Sequence, residues 1–266
     1  KNNLKKYYVK IISMMAQFAD EELRDNRVAE LRRSEEEDLA KILSKKIQSV
    51  YPEFRAKEYI AHVRKHCRDL TYTKRVTLHA EALRMYLPPD YQRAAQILHT
   101  ILGPENINET GMFREFYWLL PIGKFIEIYG IDDFITSIKL IEELTKRNTG
   151  EYAIRPFIRR YPKKSLSVIR RWAKSKNFHV RRLASEGLRP KLPWATKLDL
   201  FIDTPKPVFE VLELLKTDPI RFVQKSVANH VRDYTKVNPA LAERLLVQWS
   251  QSKNPHTRWI VKHATR

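Results

Sequence analysis

The chain has 266 residues, 43% hydrophobic and 30% charged, which is enough apolar material for one large or two small globular units. Its net charge is +19, from 50 Lys and Arg against 31 Asp and Glu, and its one cysteine, Cys67, excludes an internal disulfide framework and fits a reducing cytoplasm. No apolar run reaches the roughly eighteen residues of a membrane span, so none is expected.

Gly is scarce, Pro recurs at intervals that look like helix boundaries, and alternating strand patterns are nearly absent. The chain therefore reads as all-α. Lys1 to Ala19 has a basic start and an apolar middle, but Lys10 interrupts the run and Asp20, Glu21 and Glu22 follow it. That is not the pattern of a signal peptide. Leu4 to Val50 reads as two helices with a charged surface that includes Glu35, Glu36, Glu37 and Asp38, and residues 1–50 offer no role. Amphipathic periodicity then predicts helices over Glu53–Arg68, Thr71–Tyr86, Tyr91–Leu102, Met112–Tyr129 and Asp132–Lys146. His62 and His66 have helical i, i+4 spacing beside Cys67, but no acidic residue or second ligand pair completes a metal set, so no metal is expected.

The C-terminal half repeats. Trp172, Leu215 and Trp249 occupy one repeat position, at spacings of 43 and 34 residues, and each unit reads as helix, short polar turn, helix. That period predicts HEAT-like repeats stacked into an α-solenoid. Asp218-Pro219, Asn238-Pro239 and Asn254-Pro255 each offer an N-cap followed by Pro at the first helical position. One continuous helical domain over 1–266 is expected, with the best-defined repeats over 149–266. In the repeat register Glu186, Asn229 and His263 fall at equivalent positions, which would bring a carboxylate, an amide and an imidazole along one groove.

Charge is distributed unevenly. Glu151 to Arg266 holds 25 Lys and Arg against 9 Asp and Glu, whereas the first 150 residues hold 25 against 22. Basic charge concentrated in the repeats is the footprint of a polyanion partner. The densest run holds Arg155, Arg159, Arg160, Lys163, Lys164, Arg170, Arg171, Arg181, Arg182 and Arg189. Some of these read as solvent-facing helix residues and others as phosphate contacts. Within that run, Val180 to Gly187 reads as the end of an amphipathic helix closed by Gly187, and Glu186 stands in its last turn. Helix ends carry partial negative charge and disfavour a carboxylate. A residue that breaks a local rule inside a consistent pattern is a candidate for function.

Four blocks carry a family resemblance: Pro121 to Glu127, Glu151 to Phe157, His179 to Trp194, and Ser226 to Asp233. Their wording and order resemble the AlkC branch of the AlkC/AlkD DNA alkylation repair glycosylases, over about the last three fifths of the chain. The resemblance implies a HEAT-like solenoid that excises N3-methylated bases (3-methyladenine and, in this branch, also methylated cytosine) from duplex DNA, without a base flipped into a deep pocket. It implies Glu151, Glu186 and Asp233 as the catalytic carboxylates and Trp194 as an aromatic wall, with Glu127 a weaker fourth carboxylate. It implies no cofactor, and a protein that works as a monomer on DNA in a prokaryotic cytoplasm. Such a lesion is already cationic and leaves readily, so the enzyme must stabilise the developing sugar cation, a task suited to carboxylates. The basic residues expected at phosphate are Arg155, Arg159, Arg181, Arg182, Arg189, Lys225 and Arg258.

Each site residue has a plainer reading. Asn148-Thr149-Gly150-Glu151 fits a capping box. Glu186 has Arg182 and Arg189 as ordinary surface partners. Asp233 has Lys236, and Trp194 fits inter-repeat packing. The function likewise has two rivals: a non-catalytic module for damaged or branched DNA, and a protein-interaction scaffold, which the basic C-terminal half argues against.

Overall fold

The computed structural model describes residues 39–109, 116–193 and 195–266. These form thirteen α-helices and no strand. They are α1 (39–48), α2 (Ala56–His66), α3 (Tyr72–Tyr86), α4 (Tyr91–Thr100), α5 (Leu120–Tyr129), α6 (Phe134–Thr145), α7 (Ile154–Arg160), α8 (Pro162–Trp172), α9 (Phe178–Glu186), α10 (Lys206–Leu215), α11 (Arg221–Val237), α12 (Pro239–Ser250) and α13 (Pro255–Ala264). Short 3-10 turns cover Tyr117–Leu119 and Asp199–Phe201. The helices expected in the middle of the chain are present with somewhat shorter bounds, and residues 112–115 of the one expected over Met112–Tyr129 lie outside the described residues. The two expected over Leu4 to Val50 lie outside the described residues, apart from α1. Among the described residues no helix is long and apolar enough to cross a membrane.

The described residues group into two compact units. The first holds α1 to α4 and the start of α5, around a core of Phe54, Tyr59, Leu83 and Leu98. In it the Tyr59 hydroxyl lies 2.9 Å from Nδ1 of His79. The His62 and His66 rings lie 4.4 Å apart on α2, and Nδ1 of His66 is 2.8 Å from the His62 carbonyl.

The second unit, residues 102–109 with Ile126–Arg266, carries the repeats. Three pairs, α8–α9, α10–α11 and α12–α13, each pack internally, and α9, α11 and α13 stack on one another in order. The reason is visible along α8: Leu166, Ile169 and Trp172 recur at helical spacing and are buried, while Lys163, Lys164 and Arg171 face out or sit at the boundary. Trp172, Leu215 and Trp249 are all buried, each at or next to the last residue of its helix, α8, α10 or α12. The two indoles are held alike. Nε1 of Trp172 donates to Glu142 at 2.7 Å, and Nε1 of Trp249 donates to Glu213.

Capping decides where the helices start. Asn177 accepts from the backbone of His179 and Val180, Asn238 from Leu241, and Asn254 from His256 and Thr257. Each such cap is worth about 1 kcal/mol. Asp218 departs from the expected pattern. Helix α11 begins at Arg221, not at Pro219, and Asp218 instead accepts from the Ile220 backbone at 2.9 Å and pairs with Arg181 at 2.5 Å. The strong guanidinium bond draws that carboxylate away from a cap.

Candidate active site

The site is assembled in the second unit from the turn before α7, the end of α9 and the middle of α11. Glu151 sits in that turn, and the capping box expected for it is not formed: α7 starts only at Ile154, with Ala153 as its N-cap residue. The Glu151 carboxylate instead accepts from the Thr149 hydroxyl at 2.8 Å and from Nη1 of Arg182 at 3.1 Å. Its position depends on Gly150, where a Cβ would lie 2.7 Å from both Ile141 Cγ2 and Thr145 Oγ1. Glu186 ends α9 as expected. Gly187 follows it with an ordinary helical φ of −61°, so it is not a left-handed cap. Its requirement is a close approach, since a Cβ there would meet Ile154 Cγ2 at 2.9 Å and the Leu183 carbonyl oxygen at 3.2 Å.

The three carboxylates are joined by two guanidiniums into one chain of alternating charge. Arg182 reaches Glu151, and its Nη2 lies 3.6 Å from Glu186. Arg189 donates Nη1 to Glu186 at 3.0 Å, and Nε and Nη2 to the two oxygens of Asp233 at 2.8 and 3.3 Å. Both partners anticipated for Glu186 are therefore present, but not as an exposed pair: Glu151, Glu186 and Asp233 are only 4%, 3% and 8% exposed. The Arg182 guanidinium also lies 4.6 Å over the Phe222 ring.

Burial shapes the titration of Glu151, Asp233 and the two arginines. Loss of solvent raises the pKa of Glu151, opposed by Arg182 and reinforced by Glu186. It raises Asp233 too, against the bond from Arg189. For the arginines burial pulls downward, but the bonds and charges of their carboxylates outweigh it and both are raised.

Beneath the chain of charge lies His230, fully buried on α11, with Nδ1 3.4 Å from the Ser185 hydroxyl and its ring stacked on Tyr234. Burial first, then Arg189, holds its pKa well below 6.5, so the imidazole is neutral. Neither His230 nor Thr149 was expected in the site from sequence, although His230 stands three residues before Asp233 on one helix.

Several arginines expected at phosphate hold the protein to itself. Arg155 is 2% exposed and donates to the carbonyls of Arg189 at 2.9 Å and Thr196 at 2.6 Å. Burial, with Arg159 and Arg189 next, lowers its pKa to about 10. Arg159 is exposed but bonds the Thr196 hydroxyl and the Lys197 carbonyl, both at 2.8 Å. The Tyr152 hydroxyl donates to the Pro193 carbonyl at 3.3 Å. The turn before α7 and α7 itself thus strap down the loop on both sides of position 194. Trp194 itself lies outside the described residues. Arg181 is bonded to Asp218, and Arg182 and Arg189 to the carboxylates, whereas Lys225 and Arg258 are exposed. Glu127 is half-buried on α5. Among the described residues no group of three or more His, Cys, Asp or Glu is placed to hold a metal ion.

Comparison with known proteins bears on this arrangement. Residues 137–266 match the family described as DNA alkylation repair enzyme. The uncharacterised protein YhaZ of Bacillus subtilis (strain 168) is 35% identical over 240 residues, 90% of this chain and 64% of YhaZ. The alkylpurine DNA glycosylase AlkC of Pseudomonas fluorescens, solved bound to DNA containing an abasic site analogue, matches with a TM-score of 0.77 at 32% identity. The chain is thus similar to the DNA alkylation repair enzymes over residues 137–266, and to an AlkC-like protein over most of its length. The match covers 86% of this chain and 62% of AlkC, so the chain spans under two thirds of the length of both relatives. AlkD2 of Streptococcus mutans shares the fold, with a TM-score of 0.53 at 23% identity over 79% of this chain and 97% of AlkD2. The HEAT-like helical class expected from the repeat spacing is the class of these AlkC-like proteins.

Proposed function

We propose that the protein is a DNA glycosylase that removes cationic N3-methylated bases, 3-methyladenine and also methylated cytosine, from duplex DNA. One observation carries this reading. Three buried carboxylates share only two guanidiniums, so the chain from Glu151 to Asp233 keeps one formal negative charge in a poorly solvated place. Arg155 lies nearby, but its bonded donors point at backbone carbonyls. An uncompensated negative charge is costly in a fold unless a cation is its target, and in low dielectric it acts strongly on one.

The reaction needs little more. The methylated base is a good leaving group, and breaking its glycosidic bond leaves positive charge on the sugar. Glu186 and Asp233, held side by side by Arg189, stabilise that charge electrostatically. Glu151, fixed by Thr149 and Arg182, orients the attacking water. Trp194 supplies an aromatic face to the cationic lesion. The reading calls on no cofactor and places the protein as a monomer on DNA in the cytoplasm.

The test is base release from N-methylated duplex DNA by the wild type and by Glu186→Gln. The expected outcome is release that falls about 10²–10³-fold in the variant, the scale of losing one preorganised electrostatic group. Absence of release from either protein, with DNA binding retained, would move the protein to the non-catalytic DNA-binding class.

A further inference from the structure

Arg182 links Glu151 to Glu186, and its own place depends on a residue outside the chain of charge. Its guanidinium carbon lies 4.6 Å from the centroid of the Phe222 ring, at the start of α11. The His179 ring, one turn before Arg182 on α9, meets Phe222 edge to face, with centroids 5.7 Å apart and planes at 79°.

Phe222 is in turn fixed from outside its helix. Helix α11 has no side-chain cap of its own, because Ile220 stands at the N-cap position and Asp218 is taken by Arg181. The Phe222 backbone N–H donates instead to the Glu109 carboxylate at 3.0 Å, across 113 residues. A carboxylate there suits both the free N–H groups and the partial positive charge of a helix start. The loop that brings Glu109 is itself anchored. Just past the end of α6, Arg147 donates Nε to the Gly103 carbonyl and the Lys146 carbonyl accepts from the Asn106 backbone, both at 2.9 Å. Glu105 accepts from Asn177, the N-cap of α9, at 3.0 Å, and His179 donates Nε2 to the Asn106 carbonyl at 3.1 Å. One short loop thus ties the starts of α9 and α11 to the end of α6.

An aromatic face attracts a guanidinium and, by covering it, keeps water from it. Less water around Arg182 strengthens its hold on both carboxylates. We propose that Phe222, set by Glu109, is a positioning residue of the carboxylate site: it pins the Arg182 guanidinium against Glu151 and Glu186, and so fixes where the uncompensated negative charge of the chain lies. Its role in a reaction rests on the glycosylase reading, whereas the contact itself does not.

Glu151 reports the position of Arg182. Burial raises its pKa, Arg182, Thr149 and Arg189 oppose the rise, Glu186 adds to it, and Arg155 also faces it. Releasing Arg182 would let the Glu151 pKa rise further. The test follows the Glu151 carboxyl carbon by NMR titration of the free protein, beside single-turnover base release from N-methylated duplex DNA across pH. Wild type is compared with Phe222→Leu, which fills space without an aromatic face, and with Phe222→Tyr, which keeps the ring. Phe222→Leu should move the Glu151 titration and the acid limb of the rate upward by about 0.5–1 pH unit. It should slow release at neutral pH about tenfold and leave DNA affinity unchanged. Phe222→Tyr should recover both. A titration unmoved in Phe222→Leu, or moved equally in Phe222→Tyr, would overturn the proposal. The NMR arm needs no base release, so a shifted titration with no release from any of the proteins supports the positioning and sinks the glycosylase reading alone. Should Phe222→Leu not fold, Glu109→Ala, at an exposed position, decides the matter: the same upward shift supports the proposal and an unmoved titration overturns it.

Discussion

The arginines of this protein meet two fates, and the contrast separates the junction of α9 with α11 from the end of the stack. At the junction, Arg155, Arg182 and Arg189 turn inward and are bonded to carbonyls or carboxylates. At the end, Arg221 and Arg258 stay exposed and have no carboxylate partner among the described residues. The same side chain braces a buried anion in one place and presents a free cation in the other. What decides between them is whether stacking brings a carboxylate or a turn of backbone carbonyls within reach. Net charge therefore overstates the surface on offer to a polyanion, because part of it is neutralised inside.

The sharpest way to break this comparison is Arg189→Ala. It strands Glu186 and Asp233 as buried carboxylates with their shared partner gone, and removing one member of a buried pair costs about 3–5 kcal/mol. Urea unfolding should show that loss, and a change below about 0.5 kcal/mol would place Arg189 with the surface cations instead. Gly187→Ala comes next. A Cβ 2.9 Å from Ile154 and 3.2 Å from the Leu183 carbonyl has no room, so the end of α9 should be destabilised by about 1–3 kcal/mol. Wild-type stability after this change would mean that α7 yields easily and that Glu186 is not held to its place by that contact.

A smaller effect concerns pH. The folded pKa of His230 lies below its unfolded value of 6.5, so the unfolded chain gains a proton that the fold refuses. Its stabilising contribution is complete above pH 6.5 and is lost as pH falls toward the folded value. Glu151 and Asp233, raised by burial, act with the opposite sign, since the fold gains relative stability as pH falls and they take up protons. The difference in stability between wild type and His230→Gln isolates the histidine and should shrink as pH falls below 6.5. A constant difference across that range would show that His230 titrates alike in the folded and unfolded chain, so that burial does not depress its pKa. The smallest change expected is for Arg258→Ala, within about 0.5 kcal/mol of wild type in urea unfolding, because nothing inside the protein depends on it. A large loss there would erase the distinction between the two regions.

Much of this was legible along the chain. Helical periodicity marked α2 to α6, the spacing of Trp172, Leu215 and Trp249 marked the repeats, and Asn238 and Asn254 marked two helix starts. These are local signals, read within one turn or one repeat. Glu186 stood out because a carboxylate at a helix end is locally unfavourable. Asp218 misled for the same reason that Asn254 did not: both have the look of a cap, and only one has a guanidinium within reach.

The composition of the site was not local. Arg182 finds Glu151 across 31 residues, and Arg189 finds Asp233 across 44. Pattern alone determined that this protein is a stack of helices with a basic C-terminal half and an out-of-place carboxylate. Only the packing of α7, α9 and α11 decided that the carboxylate joins two others, that two nearby arginines become its braces, and that Arg155 and Arg159 hold a loop. Ion pairs in a poorly solvated interior depend on distances of a few ångströms, and those distances are set by how helices stack, which no single turn of sequence encodes.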